Sequence, residues 1–230
     1  MKICATTLGE TAGDLLSMTM NVGYALSSLI LISIFLVTLI LQLFSKKYHP
    51  ILYWSVILST STAGTTMSDY MDRTLKLGYM KGSAILFILL VSILLFWRFT
   101  ARDLSVVNIK TFKVELLYWF AILISNTLGT AFGDFLADDS GLGFGGGALL
   151  ITILILVNIL SHFYTKINKV VLFWIAFVLT RPLGATVGDL LTKPYSKGGL
   201  NFGTVGSSFV LFSILAILII YSNRTNKNKI

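Results

Sequence analysis

The chain has 230 residues, of which 55% are hydrophobic and only 12% charged. A water-soluble domain of this length carries about 25% charged residues, so an ordinary soluble core is excluded. The net charge of +8 is explained by basic loops rather than by a nucleic-acid surface, and Cys4, the single cysteine, rules out an internal disulfide and a cysteine-rich metal site.

In chain order, eight helices are expected, at 3–17, 22–44, 51–71, 79–98, 114–136, 144–164, 169–192 and 202–222. The even ones contain the apolar runs Tyr24–Phe44, Ser83–Trp97, Gly147–Leu160 and Phe202–Tyr221. A helix needs about 20 such residues to cross a hydrocarbon core of about 30 Å. The odd ones are apolar too but contain Gly, Thr and Asp. The first is short and polar and is not expected to cross fully by itself. Lys2 alone makes a thin basic region, and no cleavable signal is expected.

A pattern Gly-x-x-x-[Gly/Ser]-Asp occurs in each odd helix: Gly9–Gly13–Asp14, Gly64–Ser68–Asp69, Gly129–Gly133–Asp134 and Gly184–Gly188–Asp189. Ten residues before its first Gly stands Trp54, Trp119 or Trp174; the first copy has no room for one. Fourteen residues after it stands Gly23, Gly78, Gly143 or Gly198. Gly9 and Gly129 are 120 residues apart, and so are Gly64 and Gly184. Such periodicity marks an internal repeat. The expected fold class is an all-α membrane protein of about eight transmembrane helices, one domain over 1–230. Four parallel-oriented two-helix repeats (1–48, 49–105, 112–166 and 167–224) form two similar halves.

Lys and Arg accumulate in cytoplasmic loops. The loops after even helices hold Lys46, Lys47, Arg98, Arg102, Lys110, Lys113, Lys166 and Lys169, and the tail adds Arg224, Lys227 and Lys229. The opposite loops hold Arg73, Lys76, Lys81, Lys193 and Lys197 beside Asp72, Asp138 and Asp139. Both termini are therefore expected in the cytoplasm, with repeats related by an axis along the membrane normal. The Trp residues then anchor the cytoplasmic interface, and the second Gly set serves the turns or close packing.

Ionisable groups at membrane depth are costly and face protein or water. The candidate ion-binding residues are Glu10, Asp14, Asp69, Asp134 and Asp189, with Arg181, Thr7 and Asn126 beside them. Glu10 lies one turn before Asp14, where Thr65, Thr130 and Ala185 stand in the other units. Arg181 takes the place held by Thr6, Ser61 and Asn126. Oxygen-only ligands suit hard cations, so the five carboxylates are also the candidate metal ligands. Arg181 either offsets their charge or acts as an internal cation that protonation or substrate displaces. The alternative is structural: Gly-x-x-x-Gly permits close helix packing, with Asp bonding nearby backbone.

The stretches Thr6-Thr-Leu-Gly-Glu-Thr-Ala-Gly-Asp14, Asn126-Thr-Leu-Gly-Thr-Ala-Phe-Gly-Asp-Phe-Leu-Ala-Asp138 and Thr180-Arg-Pro-Leu-Gly-Ala-Thr-Val-Gly-Asp189 carry a resemblance. So do Lys193-Pro194 and Gly198-Gly199-Leu200. Over essentially its whole length the chain resembles a bacterial membrane-protein family of uncharacterised function, built from four tandem two-helix repeats with a characteristic Trp. The resemblance implies a fold and a membrane location and no activity. The missing first Trp and Ser68 in place of Gly are departures.

Two functions are expected from these residues. One is a small secondary transporter or channel in the bacterial inner membrane, for a hard cation (a divalent metal such as manganese) or a proton. The other is a scaffold or accessory protein that transports nothing and uses the motifs for packing. No enzyme is expected, since no Ser/His, Cys/His or His-rich set is present, and no cofactor or nucleic-acid partner. The partner is the lipid bilayer.

Overall fold

The computed structural model describes residues 1–45, 49–101, 104, 106, 109 and 111–227, with side chains as far as Arg224. Lys46, Lys47, Arg102, Lys110 and Lys229, and the side chain of Lys227, all counted among the basic loop residues, lie outside the described residues.

Among the described residues eight α-helices follow in order: α1 Lys2–Asp14, α2 Tyr24–Phe44, α3 Pro50–Asp69, α4 Tyr79–Ala101, α5 Phe112–Asp134, α6 Gly143–Tyr164, α7 Lys169–Thr192 and α8 Thr204–Lys227. Their starts are signalled locally. Pro50 opens α3, where its missing N–H costs nothing. The side chains of Thr111 and Asn168 accept from Val114 N and Val170 N at the starts of α5 and α7. The motif Asp ends the α-helical part in the first three units. A five-residue π-helical tail follows it: Leu15–Thr19, Tyr70–Thr74 and Phe135–Asp139. In the fourth unit α7 stays α-helical to Thr192, and Pro194 follows.

The turns after these tails need left-handed backbone. Gly23, Gly78, Gly143 and Gly198 have φ of 81°, 75°, 68° and 81°, and no atom lies within 4 Å of where a Cβ would stand. Of the two roles expected for this set, the turn is the one they serve, and close packing is not.

The helices form two concentric rings. The inner ring is α1, α3, α5 and α7, each packed against the next and α7 closing on α1. The outer helices do not pack mainly on the inner helix of their own unit. Each lies on the inner helix that follows: α2 on α3, α4 on α5, α6 on α7, and α8 back on α1. The arrangement is inside-out relative to a soluble bundle. Large apolar residues of the outer helices, such as Leu29, Phe87, Leu149 and Phe209, face outward. The hydroxyls of the inner helices, such as Thr60, Ser61, Thr65 and Thr127, are fully buried. Many bond a carbonyl three or four residues back, as Thr60 Oγ1 does to Ile57 O at 2.8 Å.

Among the described residues, six helices are long and apolar enough to cross a membrane: α2, α4, α5 with its tail, α6, α7 and α8. α1 is only 13 residues long, and in α3 the hydroxyls lower the hydropathy; most side chains of both are covered by neighbouring helices. Two of the expected interfacial tryptophans also point inward. Trp119 and Trp174 are buried, Trp174 edge-on to Trp97 at 5.6 Å and Trp119 against Tyr118 at 5.0 Å. At this end the tryptophan rings pack on protein neighbours.

Candidate functional site

A side chain every four residues along an α-helix stays near one face. The inner helices present four such rows: Thr6, Glu10, Asp14, Met18; Ser61, Thr65, Asp69, Arg73; Asn126, Thr130, Asp134, Asp138; and Arg181, Ala185, Asp189, Lys193. Taken across the ring, these rows make layers one helical turn apart.

Small residues hold the layers together. A Cβ on Gly9 would collide with Ser61, one on Gly64 would meet Asn126 Cβ at 2.9 Å, one on Gly129 would collide with Arg181, and one on Gly184 would meet Thr6 Oγ1 at 2.5 Å. Each first glycine thus receives the first-layer residue of the next unit, and the fourth receives that of the first. The second small residue works likewise one turn on. Gly13 faces Thr65, Gly133 faces Ala185 and Gly188 faces Glu10. Gly-x-x-x-Gly is therefore the device that closes the ring. Ser68, which breaks the pattern, donates to Asp72 Oδ2 at 3.3 Å.

Arg181 fills the middle of the first layer and is wholly buried. Its Nε donates to Asn126 O at 3.2 Å, Nη1 to Thr6 O at 2.9 Å and Nη2 to Ser61 O at 3.2 Å. These are the backbone carbonyls of the three residues that stand at the Arg181 position in the other units. Nη2 also reaches Thr130 Oγ1 at 2.7 Å, Thr65 Oγ1, and Glu10 Oε2 at 3.1 Å. Glu10 Oε2 in turn accepts from Thr65 at 3.3 Å and Thr130 at 3.2 Å.

The four motif aspartates are buried in the third layer and fall into two pairs. Lys193 Nζ lies 2.6 Å from Asp14 and 3.1 Å from Asp189. Arg73 lies 2.9 Å from Asp69 and 3.3 Å from Asp134. Arg73 and Lys193 are 120 residues apart, and each joins neighbouring units: Arg73 the second to the third, Lys193 the fourth to the first. Burial works against the charge on Lys193, but Asp189 and Asp14 outweigh it and hold the ammonium above the usual lysine range.

Across this region Glu10, Asp134 and Asp189 approach one another most closely. One oxygen from each lies within 4.8 Å of the others, and all three residues are buried. Three carboxylates at this separation repel unless a proton or cation sits among them. The four rows hold six carboxyl groups, with Asp138 in the last layer, and three bases: Arg73, Arg181 and Lys193.

Toward the helix starts the file becomes apolar. Ile57, Ile122 and Phe177, one turn before the first layer, are buried. Beyond them lies a cavity of about 560 Å³ lined by residues including Lys2, Tyr53, Tyr118, Trp119 and Phe173. It lies at the end where α1 is shortest: α1 starts four residues before Thr6, whereas α3 starts eleven before Ser61. Lys2 Nζ sits 3.1 Å from the centre of the Phe177 ring.

Most of the residues singled out from the sequence meet here. Glu10, Asp134, Asp189 and Arg181 converge at the centre, with Asp14 and Asp69 tied to bases at the same end. Asn126 takes part through its carbonyl, while its Nδ2 turns aside to Thr60 Oγ1 at 3.1 Å. Thr7 is outside the file and bonds Ile3 O of its own helix at 2.9 Å. Arg73 and Lys193, read as loop charges, were missed as site residues. Each stands four residues after a motif Asp, the spacing of a helical ion pair, and that was the available signal.

No curated protein and no solved structure matches the chain. The described repeat, by contrast, is found four times, over residues 1–48, 52–103, 117–168 and 172–228. The chain belongs to the family described as Repeat of Unknown Function (DUF347).

Proposed function

We propose that the protein is a small secondary transporter for cations, with all eight helices crossing the membrane as two similar halves. The observation that carries this reading is the convergence of Glu10, Asp134 and Asp189, one oxygen from each within 4.8 Å of the others, on the ring axis. Three hard oxygen ligands from three repeats suit a divalent metal such as manganese, or a proton, as cargo. Arg73 and Lys193 close the carboxylate end, and Ile57, Ile122 and Phe177 close the other. A file shut at both ends fits a carrier that opens one side at a time better than an open channel. Both clasps tie the first two units to the last two, so rocking of these halves is the motion that would release them. The chain carries no nucleotide-binding motif, so an ion gradient would drive the cycle. The loop charges favour the bacterial inner membrane with both termini in the cytoplasm.

Flux of Mn²⁺, other divalent ions and protons into proteoliposomes tests the reading. Asp134→Asn and Asp189→Asn are expected to lower it at least about tenfold with folded protein retained, the loss of about 1.4 kcal/mol of binding or barrier energy. A C-terminal fluorescent reporter checks sidedness. Wild-type flux in both variants would sink the proposal.

The scaffold reading has an observation of its own: the glycines pack the ring, and Arg181 ties four repeats together. It expects the Asn variants to lose folded protein instead of flux.

A further inference from the structure

Arg181 is held by a set of groups that would serve a cation not attached to the chain. Three are main-chain carbonyls, those of Thr6, Ser61 and Asn126, one from each of the other units at the same register. Two are hydroxyls, Thr65 and Thr130, which accept from the guanidinium and donate to Glu10. The sixth is the Glu10 carboxylate, 3.1 Å from Nη2. Only the fourth unit lacks a share in this shell, because it supplies the occupant.

Shape and charge narrow the chemistry. A point ion binds oxygens at about 2.0–2.6 Å on a common centre. Here the three carbonyls take one nitrogen each of a planar fork, at 2.9–3.2 Å, while both hydroxyls and Glu10 gather around Nη2. That geometry fits a guanidinium, with its five N–H donors in one plane. One carboxylate matches one positive charge. The site is also packed for this occupant: Gly129 leaves no room for a Cβ against Arg181 Cγ. Pro182 follows directly, and a proline in a helix interior leaves the carbonyl four residues back, that of Val178, without its usual donor. The helix carrying the tether is thus weakened at the tether.

We infer that the centre of the inner ring is a binding site for guanidinium-type cations, formed by Thr6, Ser61, Asn126, Thr65, Thr130 and Glu10, and that Arg181 is its tethered occupant. The site shares Glu10 with the carboxylate triad but takes a different occupant, and it stands whether or not the protein transports ions. A free guanidinium or alkylguanidinium ion takes the same place once the tether is cut.

The test is thermal unfolding of the full chain in detergent, followed by tryptophan fluorescence, for wild type and Arg181→Ala. Loss of the occupant leaves Glu10 buried and unpaired, so the midpoint is expected to fall by roughly 10 °C. Guanidinium or methylguanidinium chloride at about 50 mM, far below the molar range that denatures, is expected to restore at least half of the loss along a saturating curve. Sodium and tetramethylammonium chloride at equal ionic strength should not, and wild type should show no saturable gain. Equal recovery with every salt means screening alone and overturns the inference, as does recovery with none. If Arg181→Ala folds only when guanidinium is present, the inference is supported. If it folds in no buffer, Arg181→Lys decides. A lowered midpoint or lost folding there shows that the planar fork is required, whereas a wild-type midpoint shows that any positive charge suffices and overturns it.

Discussion

At the residue scale, glycine has two separable jobs here. Gly23, Gly78 and Gly198 are needed for their left-handed backbone, with open space around them. Gly9, Gly64, Gly129 and Gly184 are needed because a neighbouring unit lies where their side chain would be. The two jobs predict different responses. In Gly64→Ala the new methyl meets Thr127 N and Asn126 Cβ, both at 2.9 Å. Overpacking of this sort costs about 1–3 kcal/mol, and here it also pushes on the carbonyl that holds Arg181. A clear fall in the unfolding midpoint is expected. Gly145→Ala, which meets nothing within 4 Å, should leave the midpoint unchanged or slightly higher, since alanine favours helix. Equal effects in the two variants would mean that the close approach at Gly64 is unimportant.

At the element scale, the sequence showed where helices run but not which ones touch. The eight expected spans agree with the observed helices to within a few residues, because hydropathy, the motif and the turn glycines are local signals. The packing of each outer helix on the next unit is not local. The outer helices are apolar on every side, so no stripe identifies a partner face. The candidate site was legible in part, the aspartates by repeating and Glu10 and Arg181 by breaking the repeat. The repeated aspartates, Glu10 and Arg181 stood out, whereas Arg73 and Lys193 were absorbed into the count of loop charges. What no spacing could convey is that each base reaches an aspartate of another unit.

These clasps differ in a way that can be measured. The side chain of Lys193 is 15% exposed and that of Arg73 30%. Removing one partner of a buried pair costs about 3–5 kcal/mol, and water reduces this where it reaches the pair. Lys193→Gln should therefore lower the unfolding midpoint more than Arg73→Gln. The pH response has a definite sign. A lysine whose folded pKa is raised contributes stability that is complete below its unfolded value of about 10.4 and is lost only as pH rises through the folded one. The gap in midpoint between wild type and Lys193→Gln should thus not shrink between pH 7 and pH 9.5. A gap that closes by pH 9.5 would show that the ammonium is not held by Asp14 and Asp189.

At the scale of the whole molecule, the last outer helix completes the circle by lying on the first inner one. The second and third units likewise meet through packed helices, α4 on α5 and α3 beside α5, and not only through the peptide that joins them. The opposite boundary, between the fourth unit and the first, is made in the same fashion with no peptide link at all. A gene divided in this stretch would yield two polypeptides of two units each, every one lacking half of its neighbours. Co-produced, they should associate into a stoichiometric pair that co-purifies through a tag on either piece, while each made alone is degraded. Failure to recover the pair would mean that the connecting peptide, not the fit of surfaces, brings the circle together.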